Sequence, residues 1–204
     1  KMTDFVHLHL HSEYSLLDGA ASIKKVIKKA KEYNMTSVAI TDHGSMYGVI
    51  DFYTEAIKNG IKPIIGCEVY TAPQSRFIKT GDSTSKPYGH LVLLCKNETG
   101  YKNLMELVTK SNTEGFYYKP RVDMELLKEH SEGLIALSAC LRGDVPMAFL
   151  KRGYESALKK AMEFVSIFGR ENFYLEIQHH GIPEEDEVSE ALIKISNELG
   201  LGIV

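Results

Sequence analysis

Histidines are concentrated near the start of this 204-residue chain, where His7, His9 and His11 are spaced by two. On an extended strand this spacing places all three side chains on one face, with Leu8 and Leu10 on the other. A row of imidazoles on one face is suited to binding a metal ion, because imidazole nitrogen is a common ligand of Zn²⁺. The alternative is the exposed polar face of an edge strand. Three histidines within five residues favour the ligand interpretation.

Other potential ligands lie near the ends of predicted strands. Asp18 lies seven residues beyond His11 and precedes a glycine, although an Asp-Gly pair is also typical of a simple turn. His43 follows a strand predicted over residues 38–41. Glu68 lies in an otherwise apolar strand, where an unpaired carboxylate would be costly to bury. In α/β proteins, sites collect at the carboxyl ends of parallel strands, so these positions indicate function.

His90 and Cys140 complete the candidate set. His90 begins a predicted strand and Cys140 follows another, and each by itself is typical of a structural residue. Together, the candidates would meet on one side of a parallel barrel. Mixed His, Asp, Glu and Cys ligands suit Zn²⁺, with Mn²⁺ or Fe²⁺ as alternatives, and their number predicts two or three metals that share a carboxylate. Such a cluster without a Ser or Cys nucleophile predicts phosphoester hydrolysis by metal-bound hydroxide.

Short apolar runs alternate with amphipathic stretches along the chain, which predicts strands and helices in turn. The alternation indicates an α/β fold with a parallel sheet covered by helices, either open or closed into a barrel. Strands are predicted at residues 5–10, 38–41, 62–71, 91–95, 134–138 and 173–178, and helices at 23–33, 47–59, 100–110, 124–130, 154–168 and 184–199. Residues 73–89 are predicted to form one long loop, and residues 201–204 to begin another strand.

The composition is that of an ordinary globular protein, with 44% hydrophobic and 25% charged residues. No apolar stretch approaches the roughly 18 residues that a membrane span requires. The three cysteines form no CxxC pair, so we expect a cytoplasmic protein without disulfides. The net charge of −3 is too small to predict nucleic-acid binding. The lysines of the first helix are interpreted as its solvated face rather than as a nucleic-acid stripe.

Several motifs, in order along the chain, resemble the polymerase and histidinol phosphatase (PHP) superfamily. They are His-Leu-His-Ser at residues 9–12, Thr-Asp-His-Gly at residues 41–44 and the run over residues 60–68. Residues 5–19, 90–94, 133–140 and 173–177 are similar, more closely, to the N-terminal PHP domains of bacterial replicative DNA polymerases. The resemblance covers essentially the whole chain.

This resemblance implies an α/β fold, a distorted seven-stranded (β/α) TIM-like PHP barrel, as a single domain over residues 1–204 of a larger chain. It also implies up to nine ligands around two or three metals, and no catalytic group beyond metal-bound water. Seven ligands are matched, with Glu68 expected to bridge: His9, His11, Asp18, His43, Glu68, His90 and Cys140. His7 and Asp42 are expected to support ligands without binding metal. The family's other two ligands lie in an Asp-x-His motif, and we expect the barrel to be truncated before that last strand.

The function that the resemblance implies is a metal-dependent 3′–5′ exonuclease, in a polymerase whose nucleotidyl transfer takes place on a later domain. The implied partners are the DNA 3′ end, a separate proofreading exonuclease subunit and a sliding clamp, with no membrane. Two alternatives remain open: a non-catalytic domain that docks the proofreading subunit, and a free-standing phosphatase acting on a small phosphomonoester. His179 and His180 fall outside the ligand pattern and are interpreted as substrate-facing or surface residues.

Overall fold

A computed structural model describes residues 5–80 and 88–204 of the chain. Helices alternate with short strands, as the apolar pattern predicts. The strands are β1 (Ser37–Ile40), β2 (Lys62–Thr71), β3 (Gly89–Cys95), β4 (Arg121–Val122), β5 (Leu134–Leu137), β6 (Phe173–Leu175) and β7 (Gly202–Ile203). The helices are α1 (Ile23–Glu32), α2 (Val49–Lys58), α3 (Glu98–Thr113), α4 (Met124–Glu129), α5 (Asp144–Arg152), α6 (Tyr154–Phe168) and α7 (Pro183–Leu199).

One sheet contains these seven strands in the order β1-β2-β3-β5-β6-β7, and β4 pairs with β2 beside that path. The pairs β1/β2, β5/β6 and β6/β7 are parallel, whereas β3 is antiparallel to both β2 and β5. The prediction of an all-parallel sheet is therefore wrong at β3. Between β2 and β3, the described part of the chain contains no helix, and a parallel return would need such a crossover.

The reversal of β3 brings its first residues beside the last residues of β2. In the register of the two strands, His90 pairs with Tyr70 and Val92 pairs with Glu68. His90 therefore lies at the same edge of the sheet as the residues at the carboxyl ends of β1 and β2, although it begins its strand rather than following it. Side chains from the antiparallel strands β2 and β3 can therefore lie close together at this edge of the sheet.

The predicted strand at residues 5–10 is an extended segment that runs along β1. The backbone amide of Ala39 donates to the carbonyl oxygen of His7, and the amide of Thr41 donates to that of Leu10. The segment is not a regular strand, so the strict alternation of side chains expected for residues 5–10 does not apply to its full length. It nevertheless brings His9 and His11 to the edge where β1 ends.

Apolar clusters hold the helices against the sheet. One cluster includes Leu91 and Leu93 on β3 with Phe164 on α6 and Phe173 on β6, all fully buried. A second packs α1 and α2 against β1. Helix α1 buries its apolar face and exposes its lysines, as an amphipathic helix at a protein surface does. Burial of this kind contributes about 25 cal/mol per Å² of apolar surface.

Helix α5, strand β7 and the loop before β3 can each be compared with the predicted elements. Helix α5 is not among the predicted elements. Its Pro146 lies in the first turn, where the missing amide costs no hydrogen bond. The strand predicted to begin at residues 201–204 is confirmed as β7, parallel to β6. Of the loop predicted over residues 73–89, residues 81–87 lie outside the described part, and β3 already begins at Gly89. No described helix is long and apolar enough to cross a bilayer.

Candidate metal centre

The loop that follows β1 is held by a buried carboxylate, Asp42. Its oxygens accept hydrogen bonds from the backbone amide and the hydroxyl of Ser12, at 2.6 and 2.7 Å, and from the hydroxyl of Ser15, at 2.7 Å. The Ser15 oxygen in turn accepts from the backbone amide of His43 at 3.2 Å. Asp42 therefore joins the segment after His11 to the end of β1. Its hydrogen bonds go to backbone amide and hydroxyl groups next to the candidate ligands His11 and His43, and not to the imidazole rings themselves.

Glu68 lies at the centre of the site, on β2, with only 1% of its surface exposed. Its Oε2 atom lies 2.7 Å from His11 Nε2, 2.8 Å from His43 Nδ1 and 3.4 Å from His9 Nε2. Its Oε1 atom lies 2.6 Å from His90 Nδ1. Four imidazoles from three segments of the chain thus converge on one carboxylate.

The short distances around Glu68 do not have the geometry of hydrogen bonds. Among the described residues, both Glu68 carboxylate oxygens and His43 Nδ1 are buried without a hydrogen-bond partner. Buried polar atoms of this kind are costly unless their lone pairs are used. A divalent cation between the carboxylate and the imidazoles would use these lone pairs. The donor types and the unpartnered atoms therefore fit a metal site.

The charges at the site shift its pKa values strongly. Burial acts to raise the pKa of the Glu68 carboxyl, but the contacts with four imidazoles hold it well below its ordinary value. Burial acts to lower the pKa of His9, but Glu176 and Glu68 raise it to about 10. The pKa of His43 is also raised, because Glu68 and Asp18 outweigh its burial. Protons held on these imidazoles would be released when a cation binds.

Three overlapping sets of donor atoms could each hold one ion, since within each set the atoms lie within 4.8 Å of one another. The sets are His9, His11 and Glu68; His11, Asp18 and His43; and His43, Glu68 and His90. Asp18 joins the second set through Oδ2, which lies 3.0 Å from His43 Nε2. Because His11, His43 and Glu68 each belong to two sets, the three potential ion positions are adjacent.

Cys140 lines the same open cavity, which has a volume of about 410 Å³. Its Sγ atom lies 3.9 Å from His90 Nδ1 and accepts a hydrogen bond from the backbone amide of Arg142 at 3.4 Å. Burial raises the pKa of this thiol to about 11, so a thiolate at Cys140 requires a neighbouring cation. All seven residues predicted as ligands line this cavity.

A sequence model of the family described as PHP domain matches residues 7–180 of this chain. The chain belongs to the PHP domain family. The matched region contains every residue of the predicted ligand set, and the resemblance inferred from the motifs is confirmed. The structure shows that these motifs, which are spread over more than half of the PHP domain sequence, meet at one edge of its sheet.

The PHP domain is similar in sequence to proteins named DNA polymerase III subunit alpha. It is 53% identical over 97% of its length to the protein from Borreliella burgdorferi. It is 48% identical over 98% of its length to that from Treponema pallidum, and 45% identical over 98% to that from Thermus aquaticus. The chain spans only 17% of the length of each of these relatives. The match is therefore to one portion of much longer proteins.

Solved structures share the fold of the PHP domain at low sequence identity. A protein from Bifidobacterium adolescentis described as a metal-dependent phosphoesterase has a TM-score of 0.63 at 11% identity, covering 100% of this chain and 87% of that one. An amidohydrolase from Chromobacterium violaceum, with bound sulfate and no metal, has a TM-score of 0.58 at 15% identity, covering 97% and 84%. At these identities the likeness concerns the fold alone. It confirms the α/β fold expected of a PHP domain.

His7, His179 and His180 are outside the predicted ligand set, and their surroundings differ from one another. His7 is exposed, and its ring centroid lies 4.9 Å from that of Phe5. It lines a groove beside α1 and a pocket that it shares with His9 and Glu176, but not the cavity of the seven predicted ligands. A supporting role for His7 therefore stays a prediction. His180 lines the cavity shared by the seven predicted ligands, called the metal cavity from here on, which is where a substrate-facing residue is expected. The side chain of His179 is 79% exposed, as on an ordinary surface.

Sequence reasoning missed three residues of the PHP site: Glu176, Gln178 and Arg142. Glu176 is 7% exposed, and its Oε1 atom lies 2.7 Å from His9 Nδ1. Gln178 and Arg142 line the metal cavity. A signal for Glu176 was available, since it is a carboxylate at the carboxyl end of a buried apolar strand, which is the placement that singled out Glu68.

Proposed function

We propose that this PHP domain is a metal-dependent phosphoesterase and forms part of a DNA polymerase III α subunit. The observation that carries the proposal is Glu68, a buried carboxylate that has four imidazoles around it and two oxygens without hydrogen-bond partners among the described residues. Buried carboxylates with a purely structural role have their oxygens hydrogen-bonded. The arrangement around Glu68 therefore favours cation binding over a structural role.

Two or three divalent ions are proposed, each held by one of the three overlapping donor sets, with Glu68 as the expected bridging ligand shared by two sets and Cys140 beside His90. Imidazole, carboxylate and thiol donors together suit Zn²⁺, with Mn²⁺ or Fe²⁺ as alternatives. When bound, such ions supply an activated water molecule and neutralise charge on the phosphodiester. The shared ligands would keep the ions close enough to act on one phosphate group.

The side chains around the metal cavity would bind and orient the substrate. Arg142 lines this cavity and also an adjoining one, which is lined in addition by Tyr70, Tyr88 and Lys119. A guanidinium and an ammonium group beside the site complement the negative charge of a phosphodiester. Aromatic rings next to them offer a surface on which a nucleobase can stack. This combination suits an end of a nucleic-acid strand better than a small phosphomonoester.

In the larger protein, the proposed activity is 3′–5′ exonucleolytic removal of nucleotides, with polymerisation on another domain. The proposed partners are the DNA 3′ end, the proofreading exonuclease subunit and the sliding clamp, in the bacterial cytoplasm. Support comes from the similarity to DNA polymerase III α subunits over 97% or more of this chain. The relatives' far greater length also speaks against a free-standing phosphatase.

The substitution Glu68→Gln tests the proposal, because it keeps the size of the side chain and removes the charge that joins the donor sets. We expect fewer bound ions by elemental analysis and at least about 100-fold slower hydrolysis of 3′-labelled single-stranded DNA. Glu190→Gln, at an exposed position on α7, is the control and should change neither. Undiminished hydrolysis by the Glu68→Gln protein would contradict the proposal. Metal binding without hydrolysis in the wild type would favour a docking domain instead.

A further inference from the structure

A second buried carboxylate, Glu176, lies against the metal centre but outside the seven predicted ligands. It follows β6 directly and is 7% exposed. Its Oε1 atom lies 2.7 Å from Nδ1 of His9. The other nitrogen of the same ring, His9 Nε2, faces the opposite way, 3.4 Å from Glu68 Oε2 and 3.3 Å from His11 Nε2. The His9 ring therefore links two carboxylates, one on each side.

The two ring nitrogens of a neutral histidine have different roles, since one carries a proton and the other has a free lone pair. A carboxylate at Nδ1 accepts a hydrogen bond from that nitrogen and so keeps the proton there. The lone pair of His9 is then at Nε2, which is the nitrogen that faces Glu68 and His11. Ligating histidines are commonly fixed by a carboxylate in this way, and the carboxylate also makes the ring more basic.

Glu176 is itself held firmly in position. Its backbone amide donates to Ser138 Oγ at 2.8 Å, and the Gln178 side-chain amide donates to its Oε1 atom at 2.5 Å. Its other oxygen, Oε2, is buried without a hydrogen-bond partner among the residues that the structure describes. A carboxylate that is buried with one unpartnered oxygen needs compensating positive charge nearby. A cation bound at His9 Nε2 would lie on the other side of the ring from Glu176, and its positive charge would stabilise the Glu176 carboxylate.

We propose that Glu176 is a positioning residue that holds His9 in the form that binds metal through Nε2, and so tightens the ion position formed by His9, His11 and Glu68. This inference rests on the proposed function in one respect, namely that these three residues bind a metal ion. It concerns the affinity of one ion position and not the hydrolytic step. Glu176 itself contacts the ring of the ligand and not the ion.

A matched control for Glu176 exists in the same part of the fold. Glu185 is also buried, at 4% exposure, and its Oε1 atom lies 2.7 Å from His180 Nδ1. The two glutamates thus make the same type of contact at the same distance. His180, however, is 63% exposed and belongs to none of the three donor sets found among the described residues. Replacing Glu185 removes a buried charge and a histidine contact without touching a proposed ligand.

The test compares Glu176→Gln with Glu185→Gln in the metal-free protein, titrated with Zn²⁺ against a chromophoric chelator. We expect Glu176→Gln to weaken one Zn²⁺ position by about 10- to 100-fold, while Glu185→Gln leaves all positions within about threefold of the wild type. With Co²⁺ as a probe, the visible absorption of one bound ion should change only in Glu176→Gln. Glu176→Ala should weaken the same position at least as much.

Unchanged Zn²⁺ affinity in both Glu176 variants would overturn the inference, and so would an equal loss of affinity in Glu185→Gln, because that result would indicate a general effect of removing a buried charge. A wild-type protein that binds no Zn²⁺ and no Co²⁺ would overturn both this inference and the proposed metal centre. A wild type that binds metal but does not hydrolyse DNA would refute only the phosphoesterase proposal, since the affinity comparison at Glu176 would still hold.

Discussion

Two clusters of buried charge in this PHP domain are built in opposite ways. In the Arg76–Asp123 cluster, Asp123 accepts hydrogen bonds from the Arg76 guanidinium at 3.0 Å, from the Arg76 backbone amide at 2.8 Å and from the Leu126 amide at 3.0 Å, which caps α4. Arg76 also donates to Glu114 at 2.7 Å. At the metal centre, by contrast, both oxygens of Glu68 lack hydrogen-bond partners among the described residues.

The difference lies in which positive groups surround the carboxylate. Arg76 always carries its charge, so it pairs with Asp123 permanently and the cluster needs nothing further. The imidazoles around Glu68 can lose their protons, and their nitrogens can then bind a cation. A cluster that is fully hydrogen-bonded stabilises the fold, whereas a cluster with unpartnered buried atoms is prepared for a ligand. Buried carboxylates are therefore structural in the first cluster, whereas in the second their surroundings are suited to binding a cation.

The largest expected effect on stability belongs to the Arg76–Asp123 cluster. Asp123→Ala would leave the Arg76 guanidinium buried with Glu114 as its main partner and would remove the cap of α4. We expect the free energy of unfolding to fall by about 3 kcal/mol, the lower end of the range for breaking a buried ion pair, when measured by urea denaturation. The metal content per chain should stay unchanged. A loss below about 1 kcal/mol, or a loss of metal, would remove the distinction between the two clusters.

A smaller effect is expected from pH, and only at the metal centre. In the metal-free protein, the pKa of His9 is raised from 6.5 to about 10 by Glu176 and Glu68 in spite of burial, and that of His43 is raised as well. The stability that these charges contribute is fully present below the unfolded pKa of about 6.5 and is lost as pH rises toward the folded pKa. The metal-free protein should therefore unfold at lower urea concentration at pH 8.5 than at pH 6.

Metal affinity should change with pH in the opposite direction, because the imidazoles must release their protons before they bind an ion. His9→Gln should reduce the pH dependence of stability in the metal-free protein. Asp123→Ala should leave the pH dependence of stability unchanged. The pKa of Arg76 is raised above an already high value, so this side chain does not titrate between pH 6 and pH 8.5. An identical pH dependence in the wild type and His9→Gln would show that the charge at His9 has no influence on folding.

The smallest expected effect concerns Cys140, whose Sγ atom is 3.9 Å from His90 Nδ1. Cys140→Ser would replace the proposed thiolate ligand by a harder oxygen, so Zn²⁺ affinity should fall by about tenfold while Mn²⁺ affinity changes less. Competition titrations with the two ions measure this. Cys95→Ser, at the far end of β3 from His90, is the control and should change neither affinity. Equal Zn²⁺ losses in both variants would show that Cys140 does not bind the ion.

The candidate ligands could be predicted because their signals are local in sequence. His9 and His11 are spaced for one side of an extended segment, and Glu68 is an acidic residue in an apolar run. The direction of β3 could not be predicted in this way, since a run of apolar residues looks the same whichever way the strand points. His90 begins its strand, and only the antiparallel pairing with β2 explains why it faces Glu68.

Glu176 shows a second limit of the sequence. Its carboxylate has no motif of its own, because its importance comes from contact with His9, which is 167 residues away in the chain. Helix α5 shows a third, since a proline near its start hides a helix that tertiary packing stabilises, with Val145 and Pro146 buried. In each case, the missing information is a contact between segments that are distant in sequence or a packing energy that no local pattern expresses.

The sequence by itself determined the alternation of helices and strands, the family and the residue types that could bind metal, because periodicity, turn residues and short motifs depend on neighbours in the chain. The tertiary structure alone decided that β3 runs antiparallel, that His7 lies outside the cavity of the seven predicted ligands and that Glu176 contacts one side of the His9 ring. It also decided that the Glu68 oxygens lie against imidazoles, which can lose their protons, and not against an arginine, which cannot. Partners of this kind are set by how distant segments pack, and this packing leaves both Glu68 oxygens without hydrogen-bond partners among the described residues.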